Sequence, residues 1–322
     1  MRVTVPPRSL PVNYSPYSTQ TGKTTGFAIP AILEWQGPVV ATSVKTDLLL
    51  DTLQARQAIP NADVLVYDPT RSTGIPSAGW TPLLECLTWE GAQRCAHWLI
   101  TAGRPPEAGI DAADFWYQSA AKLLAPVLFA SAAVGGTMSE VVRWIDAQDK
   151  NTILEALDVA GDPDPVAAFE GAVNKDERTL SGIYATAQTV LLAYTDPNVL
   201  ASSLTAELRG AKLLDGRHNT AYLCAPAHEQ RRLQPLFATL VQEIVARAYE
   251  KTTETGKPLD PPLLLVLDEC ANIAPLRDLA QLASTGAGQG IQLVSVFQDM
   301  AQINSVYGRS GASTIVSNHR AK

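Results

Sequence analysis

Short, unbroken apolar runs stand near both ends of the chain, each parted from the next by a stretch with helical spacing, and the middle of the chain has hardly any. Residues 39–42 and 64–67 are two such runs, bounded by Gly37-Pro38 before the first and Asp68-Pro69 after the second. Between them, residues 47–57 place apolar positions at helical intervals, so the three pieces predict a βαβ unit. Residues 221–224, 263–267, 293–297 and 314–316 predict four further strands, and residues 235–249 a helix. Runs that are apolar on both faces belong in the interior of a parallel sheet covered by helices on either side.

Residues 87–208 follow a different pattern. They hold several helical periods and hardly any strand signal, with breaks at Gly103-Arg104-Pro105-Pro106 and at Asp162-Pro163-Asp164-Pro165. An all-helical insertion is expected there. Its longest apolar stretch, residues 123–136, is too short to span a bilayer and predicts a buried helix. Phe115, Trp116 and Tyr117 precede Leu123, Leu124 and Leu128 at helical spacing, which favours a helix core over a platform for stacking single-stranded bases. The first twenty residues have no apolar segment of the kind a signal peptide needs.

Composition narrows the function classes. The chain has 322 residues, 46% of them apolar and 18% charged, which excludes wholesale disorder and fibrous repeats. A net charge of -7 argues against a surface that coats nucleic acid or anionic lipid indiscriminately, so any nucleic-acid contact has to be local. Four scattered cysteines, Cys86, Cys95, Cys224 and Cys270, favour a reduced cytoplasmic setting over a disulfide scaffold. Cys86, Cys95 and His97 match no common zinc spacing and lack a fourth ligand.

The chemistry gathers at three places. Residues 263–269 read LLLVLDE, an apolar strand delivering two adjacent carboxylates at its tip. In P-loop NTPases the first carboxylate of such a pair holds Mg²⁺ and the next polarises the attacking water, roles that fit Asp268 and Glu269; a plain strand followed by a helix N-cap is the alternative. Gly22-Lys23-Thr24-Thr25 opens an apolar helix over 26–35. Lys23 can supply an ammonium for the phosphates of ATP and Thr24 a hydroxyl for Mg²⁺, at a helix N-terminus that itself attracts anions. Residues 284–290, STGAGQG, lead into a strand followed by Gln298, a polar residue placed to sense the γ-phosphate; the glycines themselves read as a turn.

Taken in order, these pieces resemble the TraG/TraD-type coupling proteins of conjugative type IV secretion, particularly their actinobacterial branch. The residues carrying the resemblance are GKTTGFAIPAILEWQGPVVATSVKTDLL (22–49), VLVYDPT (64–70), DFWYQSAAKLLAPVL (114–128), LLLVLDECANIAPL (263–276), STGAGQGIQLVSVFQDMAQ (284–302) and SNHRAK (317–322). The resemblance implies a RecA-like α/β fold, a mostly parallel sheet flanked by helices and interrupted by an all-helical domain. Residues 1–86 and 209–322 would be its two nucleotide-binding parts, the second incomplete at its C-terminus, with 87–208 the insertion. It further implies ATP and Mg²⁺ as cofactors and single-stranded DNA with its relaxase as cargo. Type IV secretion channel components would be its partners, with a homo-hexamer at the cytoplasmic face of the inner membrane, anchored by segments this chain does not contain. Carried over residue by residue, Gly22, Lys23, Thr24 and Thr25 bind nucleotide, Thr24 and Asp268 hold the metal, and Glu269 and Gln298 are catalytic.

The chain departs from the family pattern in three respects. The family's phosphate loop runs approximately G-P-P-R-S-G-K-T-T. Here Pro6-Pro7-Arg8-Ser9 is parted from Gly22 by residues 10–21, Val5 replaces the first glycine, and Tyr17 stands where a P-loop expects glycine. No arginine lies in the turn at 286–290, leaving Arg309 and Arg320 as candidates to reach a neighbour's phosphate. The family also continues beyond both ends, so a fragment is expected. Two alternatives therefore stay open: a degenerate P-loop copy acting only as a partner-binding module, and an FtsK-type translocase, which would lack so large a helical insertion.

Overall fold

The computed structural model describes residues 24–43, 46–104 and 110–319. Among the described residues, five strands form one sheet: β1 (Val39–Ser43), β2 (Val64–Tyr67), β3 (Thr220–Cys224), β4 (Leu263–Leu267) and β5 (Ile291–Ser295), in the order β2-β3-β1-β4-β5. β1 pairs in parallel with β3 on one side, Val39 opposite Thr220, and with β4 on the other, Val39 opposite Leu264; β4 pairs in parallel with β5. Every residue of β1, β3 and β4 is buried, while the outer strands β2 and β5 are partly open, as central and edge positions require.

One expectation about strands is corrected and another gains a detail. β1, helix α2 (Thr46–Gln57) and β2 follow one another as predicted, yet β3 lies between β1 and β2, so the crossover skips one strand. Residues 314–316 are not a strand. They belong to the last helix, Met300–Asn318, which bends at Gly308 and turns Ile303, Ala312 and Ile315 inward. Three β-branched residues in a row suggested a strand by propensity, and burial of one helical face overrides that preference. The expected strand over 293–297 is β5 at 291–295.

Arg56, on the inner side of α2, ties this framework together. It is 1% exposed and spends its guanidinium on backbone: Nη1 donates to Trp35 O (2.8 Å) and Ile32 O (3.5 Å), Nη2 to Gly37 O (2.8 Å) and His218 O (2.9 Å). Its Nε donates to Thr220 Oγ1 (2.8 Å). One cation thus gathers carbonyls from the end of α1 (Ile29–Glu34) and from the approaches to β1 and β3. Gly290 makes the close turn into β5 at φ 77, where an added Cβ would meet Leu259 N at 2.7 Å.

By contact the described residues divide into two compact units: the sheet with its helices, drawn from residues 24–66, 210–227 and 244–319, and a second unit drawn from residues 67–209 and 228–243. The second unit takes in residues 67–86 and 228–243 beyond the 87–208 stretch that reads as helical in the sequence. Its internal bonds account for this. Trp80 Nε1 donates to the buried carboxylate of Glu243 (2.6 Å), Trp80 N donates to Ser202 O (2.9 Å), and Tyr67 packs edge-on against Trp80 and Phe237.

Among the described residues of that unit seven α-helices follow in succession: α3 (Trp89–Gly103), α4 (Ile110–Ala133), α5 (Met138–Ala147), α6 (Lys150–Ala160), α7 (Pro163–Val173), α8 (Glu177–Leu191) and α9 (Pro197–Ser202). Six of them start at side-chain caps, from Thr88, Thr137, Asp149, Asp162, Asp176 and Asp196, each accepting from a backbone N–H of the first turn. α4 runs against α3, α5, α6, α7 and α8 and buries Leu123, Leu124, Val127 and Leu128. Trp116 packs on Gly182, but Phe115 is 49% exposed, so the aromatic triplet is only partly core. No helix among the described residues is long and apolar enough to cross a membrane.

Candidate functional site

β4 is wholly apolar and buried, and the chain beyond it turns polar at once, so the sheet carries Asp268 and Glu269 out at its carboxyl edge. Ligands of open α/β sheets gather at that edge. Asp268 is 7% exposed and is fixed from β1, where Thr42 Oγ1 donates to its backbone carbonyl (2.8 Å). Its carboxylate faces Thr24, whose Oγ1 donates to Asp268 Oδ2 (3.3 Å). Thr24 opens a π-helical turn, Thr24–Ala28, that runs into α1. Thr25 is exposed, and Gly22 and Lys23 lie outside the described residues, as do the whole of residues 10–21.

Burial, and then the negative charge of Glu269, push the Asp268 carboxyl up to about 6, with the Thr24 hydroxyl pulling the other way. A buried carboxylate facing a hydroxyl is an all-oxygen donor set, the kind a hard divalent cation takes, so Thr24 and Asp268 fit Mg²⁺. The raised value has a consequence for stability. The folded chain holds this proton more tightly than the unfolded one, so stability is greatest below the unfolded value near 3.8 and is lost as pH rises through about 6. The loss at neutral pH is at most about 3 kcal/mol for a shift of this size. Asp268→Asn is expected to be the more stable protein in urea at pH 7.5 without Mg²⁺, its advantage vanishing below pH 4. Equal stabilities at pH 7.5 would contradict this account.

Glu269 adopts a left-handed backbone, φ 52, and stands where a helix N-cap would, before the short turn Cys270–Ile273, without capping it through its side chain. The carboxylate of Glu269 therefore does not cap that turn. Gln298 Nε2 donates to Glu269 Oε1 (3.2 Å) and Oε2 (3.0 Å), and Asn272 Nδ2 donates to Oε2 (2.9 Å). Gln298 sits three residues past the end of β5, beyond the strand tip itself. Gln302 completes the group, accepting from Gln298 N at its Oε1 (2.9 Å) and donating from Nε2 to Asn272 Oδ1 (3.3 Å).

The structure thus brings together Thr24, Asp268, Glu269 and Gln298 from the sequence reading. It adds Thr42, Asn272 and Gln302, which that reading missed. The signal for the last two was there as spacing: each is an amide three or four residues along from Glu269 or Gln298 at the start of a helix. The glycines at 286–290 form a 3₁₀ turn between helix and β5, the plain role their spacing suggested. Arg309 is exposed on the last helix and Arg320 lies outside the described residues.

Comparison with known proteins follows the same lines. A family model described as type IV secretory system conjugative DNA transfer matches residues 17–322. The conjugal transfer protein TraG of Escherichia coli is 26% identical over 317 residues, covering 91% of this chain and 48% of TraG. The protein VirD4 of Rhizobium radiobacter is 23% identical over 308 residues, covering 93% of this chain and 44% of VirD4. The chain spans about half the length of the curated relatives it matches. Among solved structures, the bacterial conjugative coupling protein TrwB, in a trigonal form with sulphate, superposes with a TM-score of 0.70 at 20% identity over 94% of this chain and 67% of that one. That likeness is of fold: the RecA-like parallel α/β sheet interrupted by helices. With a family match running over nearly its whole length, the chain belongs to the type IV secretory system conjugative DNA transfer family.

Proposed function

We propose that the chain is the ATP-driven motor portion of a coupling protein that moves single-stranded DNA and its relaxase to a type IV secretion channel during conjugation. The observation that carries this is the meeting of Thr24 with Asp268 and of Glu269 with Gln298 at one edge of the sheet. TrwB, of the same fold, has been solved with the ATP analogue ADPNP and with ADP and Mg²⁺. Here Lys23 would pair with the phosphates, Gly22 and Thr25 would flank it, and Thr24 and Asp268 would hold Mg²⁺. When bound, ATP with Mg²⁺ supplies the phosphoanhydride whose cleavage drives movement. Glu269 orients a water and takes its proton at a carboxylate oxygen, and Gln298, hydrogen-bonded to that carboxylate, registers whether the terminal phosphate is present. The whole protein would work as a homo-hexamer at the cytoplasmic face of the inner membrane, held there by segments beyond this chain.

Calorimetry with ATP and Mg²⁺ tests the assignment. The chain is expected to bind, and Lys23→Ala to lose binding because the β- and γ-phosphates lose their cation. A variant lacking residues 10–21 and carrying Val5→Gly decides the alternative. Binding by that variant alone identifies a degenerate copy that acts by binding partners, and binding by neither overturns the nucleotide site.

A further inference from the structure

Polar side chains around Glu269 form a chain with a fixed direction. At one end stands the backbone N–H of Gln298, which can only donate; at the other stands the carboxylate of Glu269, which when ionised can only accept. Between them are two amides, either of which could be turned over if it stood alone. The ends remove that freedom. Gln302 must offer its Oε1 to Gln298 N (2.9 Å), which leaves its Nε2 for Asn272 Oδ1 (3.3 Å), and Asn272 must then offer Nδ2 to Glu269 Oε2 (2.9 Å). The Gln302 backbone N–H is itself held by Asp299 Oδ1 (2.8 Å), so the relay is anchored at the start of the last helix. Glu269 meanwhile occupies a left-handed backbone, φ 52, which is unfavourable for a non-glycine residue. Such a residue keeps its place only where its surroundings hold it.

The geometry points to Asn272 and Gln302 as positioning residues: they transmit the position of the Gln298 segment to the carboxylate of Glu269, so that the proposed base faces its water only while Gln298 is seated. This rests on the motor reading, because it assigns Glu269 its role. The relay ends on Glu269, whose proposed role is in the chemistry, so the effect expected of either residue is on turnover and not on nucleotide or metal affinity. Gln298 also donates directly from its side chain to both oxygens of Glu269, so the relay adds a second tether, from the backbone N–H of the same residue.

The test uses Asn272→Ala and Gln302→Ala singly, together, and each in the Glu269→Gln background. Each single variant should lower kcat, by up to about 10²-fold for a base displaced by the order of 1 Å, with KM for ATP and the urea midpoint unchanged. The pair together should be no worse than Asn272→Ala alone, since Gln302 acts through Asn272. Neither should lower turnover further once Glu269 is Gln. Gln302→Glu keeps the acceptor for Gln298 N, loses the donor to Asn272 and should behave like Gln302→Ala without truncating the side chain. A second readout needs no turnover: in ¹⁵N spectra of the nucleotide-free protein, Asn272→Ala should speed hydrogen exchange of the Gln302 side-chain amide, and Gln302→Ala that of Gln298. If Glu269→Gln abolishes turnover while Asn272→Ala and Gln302→Ala leave kcat and amide exchange as they were, the positioning role is wrong and the motor stands. If Glu269→Gln leaves turnover intact, the motor reading has failed, and unchanged amide exchange would then overturn the relay as well.

Discussion

Glu269→Gln is expected to lower steady-state ATP turnover by about 10²–10⁴-fold, the usual cost of losing a general base, while nucleotide binding survives. The change is close to isosteric. Gln keeps one carbonyl oxygen to accept from Gln298 Nε2 or Asn272 Nδ2, the donors that hold Glu269 now. What it cannot do is take a proton from water. Asp268 and Thr24, 3.3 Å apart at their side-chain oxygens, are untouched by the substitution. Removing the neighbouring charge, the second-largest cause of the raised Asp268 value, should if anything ease ionisation of Asp268 and favour metal. Phosphate release under saturating ATP and Mg²⁺ measures the first quantity and calorimetry the second. Loss of both together would place Glu269 in binding and remove it from the chemistry; loss of neither would end its candidacy.

Arg56→Met is expected to destabilise the chain by roughly 3–5 kcal/mol. Met fills much of the volume of the arginine stem, so the cost arises from the polar end: the carbonyls of Trp35, Gly37 and His218 and the Thr220 hydroxyl lose their buried donor together, at about 1–3 kcal/mol for each group left unsatisfied and less where water reaches in. Arg56→Lys should recover only a minor part, because an ammonium has three donors on a point charge and cannot span acceptors on both sides of a planar fork. Urea unfolding of the three proteins measures this. A loss under 1 kcal/mol for Arg56→Met would mean that the carbonyls find other donors and that Arg56 is not the tie described here.

A good part of the site was legible in the chain because it is written locally. A strand buried on both faces has to be apolar throughout, so β4 announces itself as Leu263–Leu267, and the first charged residues after it, Asp268 and Glu269, have to lie at its tip. Gln298 follows β5 by the same logic, and Thr24 by its place at the head of an apolar helix. The helical character of residues 87–208 follows from period and from capping residues such as Thr137 and Asp176. What tertiary structure alone decided are relations between distant segments. No local pattern says that β3 slots between β1 and β2, since adjacency depends on which edges remain unpaired when the last strands arrive. The triplet Thr314-Ile315-Val316 has strand propensity, and only the burial of Ile315 beside Ile303 and Ala312 makes it helix. Arg56 reads as one more polar position on an amphipathic helix until Gly37 and His218 come round to meet it. Thr42 and Asp268 stand 226 residues apart in the chain, and Asn272 and Gln302 stand 30 apart. Hydrogen bonds of that reach have no period to betray them; they exist only after the sheet has set the register of its strands.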